Sequence, residues 1–229
     1  MLLAGVAAAT IIGLFILPLH SYLQAFVATK CGDETPQRKR RLRFNPVRSM
    51  DIMGFLFLIF FDFGWSKPVP MKHWHMKRRK KDMIKTILIS WIPSLVCILI
   101  SAIAFIMLCR ANIIQQYNYN YSEGTLSIRS ASNIDRFFGA FFIRLIMYNV
   151  MTIILNFLPF SPMDGFKIAK LYFPDYVISK LKRWRLYFLG AMFLCAVLVG
   201  FILNHNYLLN TCIYYLIHGL DRFFALIGI

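Results

Sequence analysis

The feature that most constrains this chain is a set of apolar stretches long enough to cross a bilayer. A spanning helix needs about 20 predominantly apolar residues. Residues 1–29 carry no charged side chain before Lys30, and Leu2 to Leu19 is almost wholly apolar. Residues 84–109 form a second candidate span and residues 137–159 a third, which tolerates Arg144 near its start. From Leu186 to Leu220 there is no Asp, Glu, Lys or Arg. That run is too long for one crossing, and the polar turn Asn204-His205-Asn206 divides it into spans 186–204 and 207–227. The first run has no basic leader and no small-residue cleavage site, so it reads as a span and not as a cleaved signal. The expectation is an all-α polytopic membrane protein, a single membrane domain over 1–229 with about five transmembrane helices.

Composition agrees. The chain is 59% hydrophobic and 16% charged, whereas soluble domains average about 45–50% apolar and about 25% charged. A disordered chain, a disulfide-stapled secreted module and an ordinary soluble enzyme are excluded on that balance. The cysteines (Cys31, Cys97, Cys109, Cys195, Cys212) form no CxxC pair and read as packing residues. Ile52 to Phe61 is apolar but too short to span, and basic stretches flank it. It reads as part of a re-entrant hairpin over 51–70, with Gly54, Gly64, Pro68 and Pro70 breaking any continuing helix.

The formal charge of +16 is concentrated in loops. Residues 30–48 hold seven Lys or Arg, residues 67–85 eight and residues 160–185 six, against three in 110–136 and none before Lys30. By the positive-inside rule the three heavy loops are cytoplasmic and loop 110–136 is external. The charge is therefore topological and argues against a nucleic-acid partner. The first partner is the lipid bilayer itself, with Lys77 to Lys81 placed to attract anionic lipid.

Ionisable residues at membrane depth are costly and point to function. His20 follows Pro18 near the cytoplasmic end of the first span, and Asp164 follows the third on the same side. Two readings stay open on these residues alone. His20 caps a helix end while Asp164 makes an Asx turn with Gly165, or the two converge as part of a zinc site, which needs three protein ligands and an open position. The wider pattern adds His20-Ser21-Tyr22-Leu23-Gln24-Ala25, Gly32-Asp33, Arg41-Leu42-Arg43-Phe44-Asn45-Pro46 and Asp51-Ile52-Met53-Gly54. It continues with Phe63-Gly64-Trp65-Ser66-Lys67-Pro68-Val69-Pro70 and Asn156-Phe157-Leu158-Pro159-Phe160-Ser161-Pro162-Met163-Asp164-Gly165.

This order, from about residue 5 to residue 170, resembles the short, PDZ-less branch of the site-2 proteases, intramembrane zinc metalloproteases. The resemblance implies a site-2-protease-like core and assigns positions one by one. His20 matches the first histidine of the HExxH helix and Asp164 the third ligand. Ser21 stands where the general-base glutamate belongs, and Gln24 stands where the second histidine belongs. A serine cannot take a proton from water as a carboxylate does, and a neutral amide is a weak zinc ligand. The second-span signature GPxSN also decays, to Ser90-Trp91-Ile92-Pro93-Ser94.

No catalytic residue is therefore expected, and His20 and Asp164 are remnant ligand positions. Gly64, Trp65, Lys67, Pro68, Pro70 and Asn156 are expected to shape a groove for a partner. Three functions stay open. The first is a pseudoprotease, without cofactor, that binds a transmembrane or membrane-proximal protein. The second is an active zinc metalloprotease that recruits ligands from His73, His75 or a partner chain. The third is a non-proteolytic subunit of a membrane transport or export assembly. The resemblance further implies a prokaryotic plasma membrane.

Overall fold

Pro18 has no amide hydrogen and its ring crowds the carbonyl four residues earlier, so a regular α-helix cannot pass through it undisturbed. The first apolar run answers with a change of winding. In the computed structural model α1 (Leu2–Ile11) passes through a π-helical turn, Ile12–Ile16, into α2 (Leu17–Lys30), with Pro18 in the first turn of α2. The wider turn lies directly before the proline, with Leu17 N donating to Ile12 O. The structure describes residues 2–120, 125–130 and 132–184, and beyond them 186–188, 190, 191, 194, 215, 217–219 and 222.

The basic connection holds two short turns, α3 (Thr35–Arg38) and α4 (Pro46–Ser49), the second capped by Asn45 Oδ1, which accepts from Arg48 N at 3.0 Å. The short apolar run forms α5 (Ile52–Phe61), capped by Asp51, whose carboxylate accepts from Met53 N at 3.1 Å. An extended segment then returns: Met50 bridges Ser66, and Lys67 N donates to Ser49 O at 2.8 Å. The segment over 51–70 is thus a hairpin with one helical and one extended arm.

Gly54 lies inside α5, so it does not break the helix as the sequence suggested. What it does is remove a side chain from a backbone-to-backbone contact. A Cβ on Gly54 would overlap Trp65 O, and one on Gly64 would overlap Gly54 O. The two arms touch through this pair.

A 3-10 turn (His73–His75) leads into α6 (Arg79–Ser90) and α7 (Ile92–Arg110), which meet at Trp91 with Pro93 in the first turn of α7. Loop 110–136 carries an antiparallel hairpin, β1 (Ile114–Asn120) with β2 (Thr125–Ser130), in which Tyr117 faces Ile128 and Asn118 faces Ser127. The alternation of Tyr and Asn through 117–120 has the period of two that a strand requires. Next come α8 (Asn133–Asn156), capped by Ser132, then α9 (Asp164–Tyr172) and α10 (Asp175–Arg183).

Among the described residues, three helices are long and apolar enough to cross a membrane: Leu3–Lys30, Arg79–Arg110 and Asn133–Asn156. They match the first three spans read from the sequence. The expected spans 186–204 and 207–227 fall almost wholly outside the described residues. α8 packs against α1 and α7, and α2 packs against α6. Ala8, Ile12, Phe105, Ile146 and Tyr148 are fully or almost fully buried between them. Phe15, Leu95, Ile100 and Ile154 point outward and are exposed. Helices apolar on both faces suit lipid, not water. Arg144, the charge inside the third span, is paired: its guanidinium lies 3.6 Å from Asp62 Oδ1 and donates to Tyr148 OH at 3.0 Å. Cys31, Cys97 and Cys109 are partly buried thiols outside any disulfide.

Candidate functional site

Residues four apart on a helix share a face, so α2 presents His20 and Gln24 together. Both are buried, at 3% and 1% exposure. α9 brings Asp164 to them, and Gly165 makes this possible. A Cβ at Gly165 would overlap the carbonyl oxygens of Phe157 and Leu158, so the first turn of α9 can rest on the end of α8 only with glycine there.

Asp164 is 4% exposed. Its Oδ2 lies 3.0 Å from His20 Nε2, and its Oδ1 accepts from Gln24 Nε2 at 3.0 Å. Ser90 Oγ gives its hydrogen to Ile87 O at 2.7 Å and lies 3.0 Å from His20 Nε2. It therefore accepts from an Nε2–H, a tautomer assigned by this pattern of bonds and not by a visible hydrogen. His20 Nδ1 is buried without a hydrogen-bond partner among the described residues.

One residue in the cluster was not foreseen. Lys167, one turn after Asp164 on α9, donates to Asp164 Oδ1 at 2.7 Å and to Gln24 Oε1 at 2.6 Å. Its side chain is 12% exposed. An ammonium thus sits between the Asp164 carboxylate and the Gln24 amide. The sequence signal was the i, i+3 spacing from Asp164, which places an acid and a base on one helix face.

These contacts set the charge of Asp164. Burial alone raises a carboxyl pKa, but Lys167 and then His20 oppose it and hold Asp164 below the ordinary carboxylate range. A depressed folded-state pKa gives stability that is complete above the unfolded value, near 4, and is lost as the pH falls below it. The thermal midpoint in detergent is expected to fall steadily on acidification from about pH 5 to pH 3. Asp164→Asn should flatten that slope, measured by circular dichroism at each pH. An unchanged slope would mean that Asp164 is not the group titrating.

The remaining site positions are held structurally. Ser21 Oγ donates to Ser66 Oγ at 2.7 Å and so ties α2 to the hairpin. Trp91 is 3% exposed, its ring 4.1 Å from that of His20 and 6.3 Å from that of Phe157. The indole fills the space beside the imidazole. Asp33 is fully buried and accepts from Thr35 N at 3.0 Å and Lys72 N at 2.6 Å, with His75 Nδ1 3.6 Å away. His75 thus contacts Asp33. Among the described residues, no three His, Cys, Asp or Glu side chains gather as a metal-holding group.

The expected groove residues divide in two. Gly64 and Trp65 are buried, Trp65 within 5.2 Å of the Phe57 ring. Asn156 donates to Gly64 O at 3.1 Å, joining α8 to the hairpin. Lys67, Pro68 and Pro70 instead line an open cavity with Lys39, Arg41 and Arg48.

No family model and no solved structure matches the chain. The chain is similar to a protein named "Putative zinc metalloprotease YwhC" of Bacillus subtilis (strain 168), with 27% identity over 165 residues, 72% of this chain and 68% of the relative. The likeness supports a site-2-protease-like family, and a bacterial relative suggests a prokaryotic protein.

Proposed function

We propose that this protein is a pseudoprotease, a site-2-protease-like membrane protein that holds a transmembrane or membrane-proximal partner without cutting it. The observation that carries this reading is the Lys167 ammonium lying 2.6 Å from Gln24 Oε1 and 2.7 Å from Asp164 Oδ1. A catalytic zinc ion needs three good protein donors and an open position for water. The cluster offers one imidazole, one carboxylate and a neutral amide. A cation on the same two oxygens would face a full positive charge at about 4 Å, which costs about 4 kcal/mol per unit charge at an effective dielectric of about 20. The donor set does not fit zinc, and no step is drawn through a metal.

Two further features support the reading. Ser21 offers no carboxylate to accept a proton from water, and its hydroxyl is engaged with Ser66. Trp91 packs its buried ring 4.1 Å from that of His20, which closes one side of the imidazole. The surrounding architecture is kept, with Asn156, Gly64 and Ser66 joining hairpin and helices. The partner surface in this reading is the open side of the hairpin at Lys67, Pro68 and Pro70. The protein sits in a bacterial plasma membrane with its basic loops cytoplasmic, as the charge distribution favours.

Zinc content of the purified protein tests this. Wild type and His20→Ala should both carry less than about 0.1 equivalent of zinc, while Gln24→His/Lys167→Met, which restores a third donor and removes the ammonium, should bind about one. About one equivalent in wild type, lost with His20→Ala, would return the chain to the metalloproteases.

A further inference from the structure

Away from the His20–Asp164 cluster, the basic connection after α2 and the returning arm of the hairpin enclose an open cavity of about 510 Å³. Its lining is Lys39, Arg41, Arg48, Lys67, Pro68 and Pro70. Four of these six side chains are cationic, and none is acidic. The acids nearest in sequence are committed elsewhere. Asp33 accepts from Thr35 N and Lys72 N, Glu34 pairs with Arg38 at 3.0 Å, and Asp51 caps α5.

The two arginines are held in place. Arg41 Nη1 donates to Arg48 O at 3.2 Å, and Arg48 Nη2 donates to Lys39 O at 3.3 Å. Each guanidinium retains further N–H donors. Burial, and then the like charge of Arg48, lower the pKa of Arg41, the condition that a bound anion would relieve.

The chain beside the cavity is apolar and uncovered. Phe44, just before α4, and Val47, within it beside Arg48, are 48% and 78% exposed, and Ile52 and Met53 at the start of α5 are 73% and 62% exposed. A fixed cluster of cations beside exposed apolar side chains, at the ends of membrane helices, matches the two halves of one kind of molecule. We infer that this cavity takes the phosphate headgroup of an anionic phospholipid, with Arg41, Arg48, Lys39 and Lys67 around the phosphate and the acyl chains beside Phe44, Val47 and Ile52. Basic pockets at the ends of membrane helices bind such headgroups through the same chemistry. Lys67, Pro68 and Pro70 also belong to the partner surface proposed above, so lipid and partner would compete for this side of the hairpin; the inference does not need the pseudoprotease reading, and none of these cations enters the zinc test.

Lipid retained by the full-length protein in mild detergent, counted by native mass spectrometry, tests it. With equal phosphatidylglycerol and phosphatidylcholine added, wild type should keep the anionic lipid about tenfold more often. Arg41→Gln/Arg48→Gln should reduce that preference to near parity, whereas Lys180→Gln/Lys182→Gln, an equal charge loss at exposed positions of α10, should leave it standing. Lys67→Gln makes no change to the Arg41 and Arg48 bonds, so it keeps the test open if the double variant misfolds. It should lower the preference about threefold. Equal loss from both double variants would assign the effect to diffuse surface charge and overturn the site. Displacement of the lipid by millimolar inorganic phosphate would overturn it in favour of a free-anion site. Preference unchanged in Arg41→Gln/Arg48→Gln and in Lys67→Gln would remove the cavity from consideration.

Discussion

Lys167→Met is expected to destabilise the protein by about 3–5 kcal/mol, the cost of leaving a buried carboxylate without its counter-charge. Asp164 has 6% of its side chain exposed and Lys167 has 12%, so water does little to screen the pair. In a chain of this size the loss corresponds to a fall of about 10 °C in the thermal midpoint. The informative comparison is the double variant. Lys167→Met/Asp164→Asn removes both charges and should recover most of the loss, because neutral partners of similar shape do not carry the desolvation cost of an orphaned ion. Thermal unfolding in one detergent, followed by circular dichroism, supplies all the values. Equal midpoints for wild type and Lys167→Met would show that the ammonium does not hold the cluster together.

Gly54→Ala is the second change expected to act strongly. The added methyl would meet Trp65 O, a backbone atom that cannot swing away, so either α5 or the returning arm must move. Overpacking of this kind costs about 3 kcal/mol when the neighbour is rigid. Gly64→Ala should act in the same direction, since its Cβ would meet Gly54 O. Gly190→Ala, where nothing among the described residues lies within 4 Å of the added atom, is the matched control and should be near neutral. Limited proteolysis reads the hairpin directly, because its displacement exposes the extended arm to cleavage. Cleavage of Gly54→Ala no faster than wild type would mean that the two arms are not in contact.

The three described spans were legible because apolar length is a property of the sequence itself, and their bounds needed no partner. The meeting of His20 with Asp164 was also foreseen, through two motifs that stand 144 positions apart. Other features depended on contacts that no local pattern announces. Lys167 read as one of six cations in a loop, and only the fold of α9 turns it inward to Gln24. Trp91 was visible as a departure from a signature, but the void it fills is defined by His20 and Phe157, which come from two other helices. Gly54 read as a helix breaker because its neighbour across the hairpin, Trp65 O, cannot be inferred from composition. The strands in loop 110–136 went unread for another reason: Tyr and Asn alternate there without the hydrophobic-polar contrast that marks a half-buried strand.

The π-helical turn at Ile12–Ile16 has a consequence for the phase of the whole first span. Such a turn holds one residue more than the α-helix would use over the same path. Each residue of an α-helix advances the side-chain direction by about 100°, so everything after Ile16 is indexed one step ahead of everything before it. A helical wheel drawn continuously from Leu2 to Lys30 therefore merges two faces that are not the same face. Removing a single residue, for instance Leu14, would take out the residue that the wide turn accommodates and leave a span of ordinary apolar character, still able to cross a bilayer. His20 and Gln24 would then keep their direction toward Asp164, whereas a regular α-helix wound through the undeleted span would carry them about a quarter-turn around the axis.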